Sequence, residues 1–381
     1  MNPKKLIVTP LLHVMDANAR RLARRSFDAD YKVAARFLKA HPLPDITDAD
    51  KRAIDEYWRQ YGIKFPDYTW YRMYYSITGM HDPRFIPDAI AFSAMFKYYN
   101  DSSCIPGWDD KNMYDKLVPG IKFPTVLAHI YRGGIYDKDW NYCGGKDLDR
   151  LCDSIGNTIG DDGCIVVKAS RASQAGKGVK LVETASPASI KAALEQNRHT
   201  DHVVQRRIRQ NSFMSQFCST SVNIFRIITW RHEDKVDVLS ASIRFGIEGA
   251  FTDVAYVDGE EIVNVVGVEM DGTVKDLFAS FRGLTEHQVQ LTQHVAPNFA
   301  AVLEMAREGH KSLHPFGIVG WDITLDQDDC PVCIEYNIYR PGMVLYQYAN
   351  GPFAGDKTEQ LLGFLHDKKL LEKYIPKKYR I

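Results

Sequence analysis

Two apolar segments near the C-terminus constrain this chain more than any other feature. Val319-Gly-Trp-Asp-Ile-Thr-Leu325 and Pro331-Val-Cys-Ile-Glu-Tyr-Asn337 each have the length and β-branched content of a strand, and Asp328-Asp329 between them reads as a turn. With the tip there, the two pair as a hairpin in which Asp322 lies directly opposite Glu335, their β-carbons about 5 Å apart. Asn337 stands two residues further along and shares that face, because side chains alternate along a strand. Two carboxylates and an amide therefore converge on one patch, while Trp321, Ile323, Ile334 and Ile338 make the hairpin half-buried. Like charges opposed across a ladder repel, so a cation has to offset them. Hard oxygen ligands in this number suit Mg²⁺, which is held by one or two carboxylates together with substrate phosphates. The competing reading is an exposed polar face, which the apolar neighbours disfavour. Everything here depends on register, since a slip of one residue separates the pair.

Such a hairpin needs a sheet to join, and the segment from residue 105 to 345 is punctuated like one. Cys164–Ala169 and Gly178–Glu183 read as short strands, Ser219–Trp230 and Lys235–Phe245 as long ones, and two further strand pairs turn at Asp258-Gly259 and Asp271-Gly272. Ser186-Pro187 opens a helix that runs through Asn197. Trp108–Leu117 reads as a short helix capped by Asp109 or Asp110 and carrying Lys111; residues 286–310 read as a helix broken at Pro297, and Gly355–Tyr374 as a closing helix. Antiparallel strands mixed with helices give an α+β class rather than a doubly wound nucleotide fold. Residues 16–61 look helical with a pause at His41-Pro-Leu-Pro44, and Leu22, Phe27, Val33 and Phe37 recur at helix-compatible intervals. The aromatic runs Trp70–Tyr75 and Phe92–Tyr99 have the composition of a base- or sugar-stacking surface. Core packing is the better reading for a chain whose 48 basic residues balance 48 acidic ones.

That balance supplies no global field for nucleic acid or an anionic membrane, though it leaves room for a local patch. No run reaches the roughly 18 apolar residues of a membrane helix, so stable membrane insertion is not expected. The first twenty-one residues begin with two lysines like a signal peptide, but Thr9, Pro10 and His13 interrupt the apolar stretch. Seven scattered cysteines read as reduced thiols of a cytoplasmic protein. Cys330 and Cys333 have CxxC spacing, but without a second such pair they read as packing thiols rather than zinc ligands.

Other residues carry charge into places where charge is costly. Lys168 ends the strand Cys164–Ala169, and the small-residue loop after it, with Ser170, Ser173, Gly176, Lys177 and Gly178, offers free backbone N–H groups. Such a loop folds over phosphates while the lysine neutralises them, or is simply a flexible hairpin loop; it lacks the spacing of a Walker A motif. Arg226 and Arg244 sit inside apolar strands and require anionic partners, either structural ones such as Asp253 or Glu248, or a phosphate or substrate carboxylate. His310 and His314 precede the strand of Asp322, and one of them is a candidate base.

In this order, Lys111, Lys168, the Gly/Ser loop, His202-Val-Val-Gln-Arg206, Asn223 with Arg226, Asp322 and Glu335-x-Asn337 resemble an ATP-grasp domain. Gly320-Trp-Asp-Ile with Ile334-Glu-Tyr-Asn-Ile-Tyr-Arg-Pro-Gly342 is most similar to its sugar-transfer-associated, hexapeptide transferase-like branch. The resemblance spans roughly residues 105–345. It implies two α+β lobes clasping nucleotide, at 105–205 and 206–345, after a helical N-terminal region, 1–104, and before a C-terminal helical extension, 346–381. It implies ATP and Mg²⁺ as cofactors. Lys111, Lys168, Ser170, Ser173, Gly176, Lys177 and Gly178 would surround the phosphates, and Gln205, Arg206 and Asn223 would complete the nucleotide site, with Gln205 standing where many members carry glutamate. Asp322, Glu335 and Asn337 would bind Mg²⁺, while Arg226 or Arg244 would hold the transferred phosphoryl group or an acyl phosphate; Arg340 and His314 complete the catalytic candidates. Thr252-Asp253-Val254 departs from the family pattern, so Asp253 receives no role. The implied reaction is carboxylate–amine ligation on small-molecule acid and amine substrates, such as a sugar acid or a cell-surface polysaccharide precursor. A kinase of a hydroxylated substrate and a non-catalytic nucleotide-binding accessory protein are the alternatives.

Overall fold

The hairpin forms, and at its functional end the register is the expected one: Asp322 pairs with Glu335 and Gly320 with Asn337. Beyond that point Ile323 pairs with Cys333, so Ile334 is a one-residue bulge. A bulge re-aims the side chains beside it, and here Ile334 and Glu335 both face the same cavity. The computed structural model describes residues 3–160, 163–171, 178–183, 185–257, 259–280, 283–284 and 289–381, with backbone alone at 3–15, 260 and 283–284.

The strands β1 (Val126–Tyr131), β2 (Gly134–Asp137), β3 (Ile165–Ala169), β4 (Val179–Val182) and β5 (His202–Arg206) form one antiparallel sheet in the order β2-β1-β5-β3-β4. A second antiparallel sheet uses β6 (Ile224–His232) and β7 (Lys235–Phe245); a separate two-stranded ribbon, β8 (Ala255–Val257) with β9 (Glu260–Ile262), follows. β10 (Asn264–Val268), β11 (Val274–Ser280), β12 (Gly283–Leu284), β13 (Ile318–Leu325) and β14 (Pro331–Asn337) then complete that second sheet in the order β12-β11-β10-β7-β6-β13-β14. The first sheet rests on helices Lys146–Ile159 and Pro187–Gln196. Ser186 caps the second of these through a capping box with Ser189, as its Ser-Pro start suggests.

The second sheet is covered on both faces. Helix Phe299–Ser312 packs on one side with Phe225, Val319 and Trp321 beneath it. The C-terminal helix Val344–Asn350 packs on the other, against β7, β10 and β11, in one core with Ile228, Trp230, Leu239 and Val265; the N-terminal helices Pro3–Ala40, Asp48–Arg59 and Thr69–Thr78 join that core beyond it, Thr69–Thr78 directly against Val344–Asn350. Burial on both faces explains why β13 is a continuous apolar run rather than an alternating one. The aromatic runs are core, as composition suggested: Trp58, Trp70, Tyr71, Tyr74 and Phe85 are buried together. Tyr71 donates to the carbonyls of Pro83 and Phe85 at 3.0 and 2.9 Å, which satisfies a hydroxyl that would otherwise be stranded.

Several local readings need correction. Lys111 is not helical, because the Trp108–Leu117 segment splits into short helices Ile105–Trp108 and Tyr114–Leu117 around a turn. The helix expected over 286–310 starts only at Phe299, after a left-handed Asn298, so Pro297 precedes the helix instead of breaking it; residues 286–288 lie outside the described residues. The closing helix is interrupted at Lys369, whose φ is 55°. Leu22 and Val33 are exposed while Phe27 is buried, since the long helix presents only one face to the core. Cys333 is a buried packing thiol, but Cys330 is exposed beside the hairpin tip.

One buried side chain ties the C-terminal segment to the N-terminal helices. Gln347 is fully buried; its Oε1 accepts from the amides of Ile86 at 2.9 Å and Phe353 at 3.2 Å, and its Nε2 donates to the Ile86 carbonyl at 2.9 Å. Gln347→Leu keeps the volume and strands three backbone groups, which predicts a loss of roughly 3 kcal/mol in denaturant unfolding. A cost below about 1 kcal/mol contradicts this account.

Candidate active site

Between the two sheets lies a cavity of about 530 Å³, and its wall collects most of the charged residues that the sequence singles out. The first sheet contributes Lys168 from the end of β3 and Gln205 and Arg206 from the end of β5. The second contributes Arg226 from β6, Arg244 from β7, Asp322 from β13, and Glu335 and Asn337 from β14. Lys111, Arg340 and Pro341 come from connecting segments, and Tyr346 from helix Val344–Asn350.

Lys111 reaches the cavity because its turn is pinned on several sides. The Tyr336 hydroxyl donates to the Trp108 carbonyl at 2.5 Å, and the Tyr114 ring stacks on Tyr336 with centroids 4.2 Å apart. The Lys111 amide donates to the Ser170 carbonyl at 2.8 Å, while Arg171 holds buried Asp110 at 2.6 Å. Lys111 Nζ then lies 3.2 Å from Glu335 Oε2.

The opposed carboxylates are thus neutralised separately. Arg226 grips Asp322 with a two-pronged guanidinium contact, Nη2 to Oδ2 at 3.0 Å, and donates through Nη1 to the Pro341 carbonyl at 2.8 Å. Asn337 Nδ2 donates to the same Asp322 Oδ2 at 3.1 Å. Burial works to raise the Glu335 carboxyl, but Lys111 and Lys168 together outweigh it and hold it below the ordinary range. Burial also pushes the Lys168 ammonium down to about 8, with Glu335 opposing and Lys111 adding to the shift. Arg244 pairs with Asp253 at 2.7 Å and reaches the Tyr346 hydroxyl at 3.4 Å, so of the two structural partners considered for it Asp253 is the one used. Arg340 adopts a φ of 50°, and its guanidinium stacks on Phe92 at 4.6 Å and donates to Ser26 Oγ at 2.6 Å.

Three candidates lie away from the cavity wall. Asn223 is fully buried, donating to the carbonyls of Met214 and Cys218 at 2.7 Å each, and so organises the turn before β6. His314 packs against Arg231, with Nδ1 3.1 Å from Nη1, at the start of β13 rather than at the carboxylates. His310 is equally structural: its ring nitrogens meet Thr229 Oγ1 at 2.7 Å and the Phe316 carbonyl at 2.8 Å, and burial lowers it to about 4. Neither histidine lies in the cavity wall, so the structure does not bring the candidate base together with Asp322 and Glu335. Ser170 is buried and contributes through its backbone, and Gly178 takes φ 81° at the start of β4. Ser173, Gly176 and Lys177 lie outside the described residues. Conversely, Glu261 and Tyr346 line the cavity unforeseen, and Asp253, named only as a structural partner for Arg244, lines it as well.

A lysine titrating near 8 predicts a pH dependence. Protonated Lys168 attracts a triphosphate, so affinity for ATP measured by calorimetry falls as pH rises through about 8. Lys168→Met binds more weakly and loses this step, whereas an unchanged step in the variant assigns it to another group.

Residues 92–361 match the model of the family described as sugar-transfer associated ATP-grasp. No curated protein matches the sequence. Among solved structures, an N5-carboxyaminoimidazole synthase from Aspergillus clavatus, in complex with ADP and a ribonucleotide, is 12% identical with a TM-score of 0.38, the match covering 70% of this chain and 54% of that one. The VanG D-Ala:D-Ser ligase from Enterococcus faecalis is 15% identical with a TM-score of 0.39, over 70% and 62%. The D-alanyl-alanine synthetase A from Vibrio cholerae is 13% identical with a TM-score of 0.37, over 70% and 66%. The chain spans about half the length of the first of these and about two thirds of the others. Match to the family model over most of the chain, with the two-sheet fold around it, establishes that this protein belongs to the sugar-transfer associated ATP-grasp family.

Proposed function

We propose that the protein is an ATP- and Mg²⁺-dependent carboxylate–amine ligase working through an acyl phosphate. The observation that carries the reading is the opposed pair Asp322 and Glu335 in the cavity wall, each held by its own cation. Nucleotide fits this wall. Lys111 and Lys168 supply positive charge, and Gln205 carries a buried Oε1 without a hydrogen-bond partner among the described residues, an acceptor suited to an exocyclic amino group. Mg²⁺ fits the donor set of Asp322, Glu335 and Asn337, which offers two carboxylates and one amide and leaves the remaining positions to phosphate oxygens and water. When bound, Mg²⁺ would draw charge from the transferring phosphoryl group.

The protein's own residues do the rest by position and charge. Lys111 and Lys168 would hold the triphosphate in line with the acid, while Arg226 and Arg244 balance charge on the acid and the leaving phosphate. A carboxylate oxygen attacks the γ-phosphorus and ADP leaves; the amine nitrogen then attacks the acyl carbon, phosphate leaves and the amine proton passes to solvent or phosphate. No nucleophilic side chain is required. A sugar acid or other precursor of a cell-surface polysaccharide, handled in the cytoplasm, is the substrate class supported by the family description alone.

Hydroxylamine trapping tests the reaction class. With ATP, Mg²⁺ and a panel of sugar acids, a hydroxamate forms from the accepted acid. Stable phosphate ester without hydroxamate indicates a kinase, and ATP binding with neither product indicates an accessory protein; either result overturns the ligase. Glu335→Gln and Asp322→Asn should each lower turnover on the order of a hundredfold or more, measured on samples that circular dichroism shows to be folded at the assay temperature.

A further inference from the structure

Phe245 at the end of β7 pairs with Asn264 at the start of β10, and between them the chain leaves the second sheet and returns. This excursion, residues 246–263, contains the ribbon of β8 and β9. It is tied down where it starts. A Cβ on Gly246 would sit 2.5 Å from the Thr252 carbonyl oxygen, so only glycine lets the chain fold back this closely. The Val222 amide donates to the Phe251 carbonyl at 3.0 Å, and Thr252 Oγ1 donates to the Val254 carbonyl at 2.8 Å. Phe251, Thr252, Asp253, Val254 and Glu261 all reach the cavity wall from this one excursion.

The carboxylates of that wall are not equally committed. Asp322, Glu335 and Asp253 each pair with a cation, Arg226, Lys111 and Arg244 respectively. Glu261 is exposed, its Oε2 3.5 Å from the hydroxyl of its cross-strand neighbour Tyr256, and among the described residues no basic side chain pairs with it. The other charged groups already have a place in the proposed reaction: the lysines with the triphosphate, Asp322 and Glu335 with the metal, Arg226 and Arg244 with the acid. Arg244 keeps a buried Nε without a hydrogen-bond partner, a donor left for the acid, and stands two residues before the excursion. The remaining reactant is the amine. A primary amine is an ammonium ion at neutral pH, and the arginines and lysines of the wall repel it. Glu261 is the group that offsets this repulsion.

We infer that Glu261 receives the amine substrate as an ammonium ion, so that the excursion selects cationic amines. The inference rests on the ligase reading and names the chemical class of its second substrate. The bound nitrogen loses one proton to solvent or phosphate, its lone pair forms the C–N bond, and the bond from the acyl carbon to the phosphate oxygen breaks. A competition tests it. Hydroxylamine is uncharged at neutral pH. With ATP, Mg²⁺ and an accepted sugar acid, it competes for one acyl phosphate with ammonium chloride, ethanolamine or glucosamine, and the ratio of amide to hydroxamate is read in one sample. Glu261→Gln should lower the ratio about tenfold and Glu261→Lys further, whereas Glu261→Asp keeps most of it. A partly unfolded variant lowers both products alike and leaves the ratio where it was. An unaltered ratio in the glutamine and lysine variants overturns the inference, as does hydroxamate without amide from any of the three amines; both results leave the ligase standing. Absence of hydroxamate from every acid overturns the ligase reading, and this inference with it.

Discussion

Opposing Asp322 to Glu335 across a ladder is the costly act around which this site is built. Buried like charges cannot both stay ionised unless each finds a counterion. The solution divides the work: Arg226 arrives from the adjacent strand and belongs to the same sheet, whereas Lys111 arrives from the connection leading into the first sheet. One carboxylate is thus balanced within its own layer and the other by the neighbouring part of the chain. Assembly of the cavity and neutralisation of its floor are the same event, and the Tyr336–Trp108 contact is what makes them so.

The supporting shell has the same character. The Pro341 carbonyl fixes Arg226 from the side opposite Asp322, and the Tyr346 ring lies 5.4 Å from the Arg226 guanidinium. Asn337 ties the end of the hairpin to Asp322, and three residues on, Arg340 carries the backbone through a left-handed turn to Ser26 on the long helix. A single run of residues, 337–346, therefore touches Asp322, the arginine that holds it and the long N-terminal helix.

The hairpin register was legible because two local rules, period-two alternation and the placement of a turn, agree on it. The bulge at Ile334 was not, since one extra residue leaves no mark in a strand-like segment. Lys111 was recognised as a residue but misplaced on a helix: what holds it in a turn is Tyr336, more than two hundred residues away in sequence. Arg244 was known to need an anion, and Asp253 was one of two structural partners named for it; choosing between Asp253 and Glu248 required the fold, because the turn that brings Asp253 back has no readable pattern. His314 shows the reverse error. Nearness in sequence to Asp322 counted for little once β13 was extended, because at about 3.3 Å per residue the strand carries the chain about 13 Å from Ile318 to Asp322. Fold class, by contrast, follows from turn signals and apolar runs, which are local.

One face of the second sheet is roofed by helix Val344–Asn350, and the N-terminal helices form a layer over that roof, which changes what the family boundary means. The match begins at residue 92 and contains that roof, but Gln347 and Tyr348 on the same helix meet Ile86 and Tyr74, which lie before that point. A chain pared to the matched segment would expose the outer side of helix Val344–Asn350 to water and take from Gln347 its partners at Ile86. The boundary drawn by similarity is one of ancestry rather than of folding. In physical terms the first ninety residues are a further layer of the protein's own core, laid on the helix that roofs the sheet.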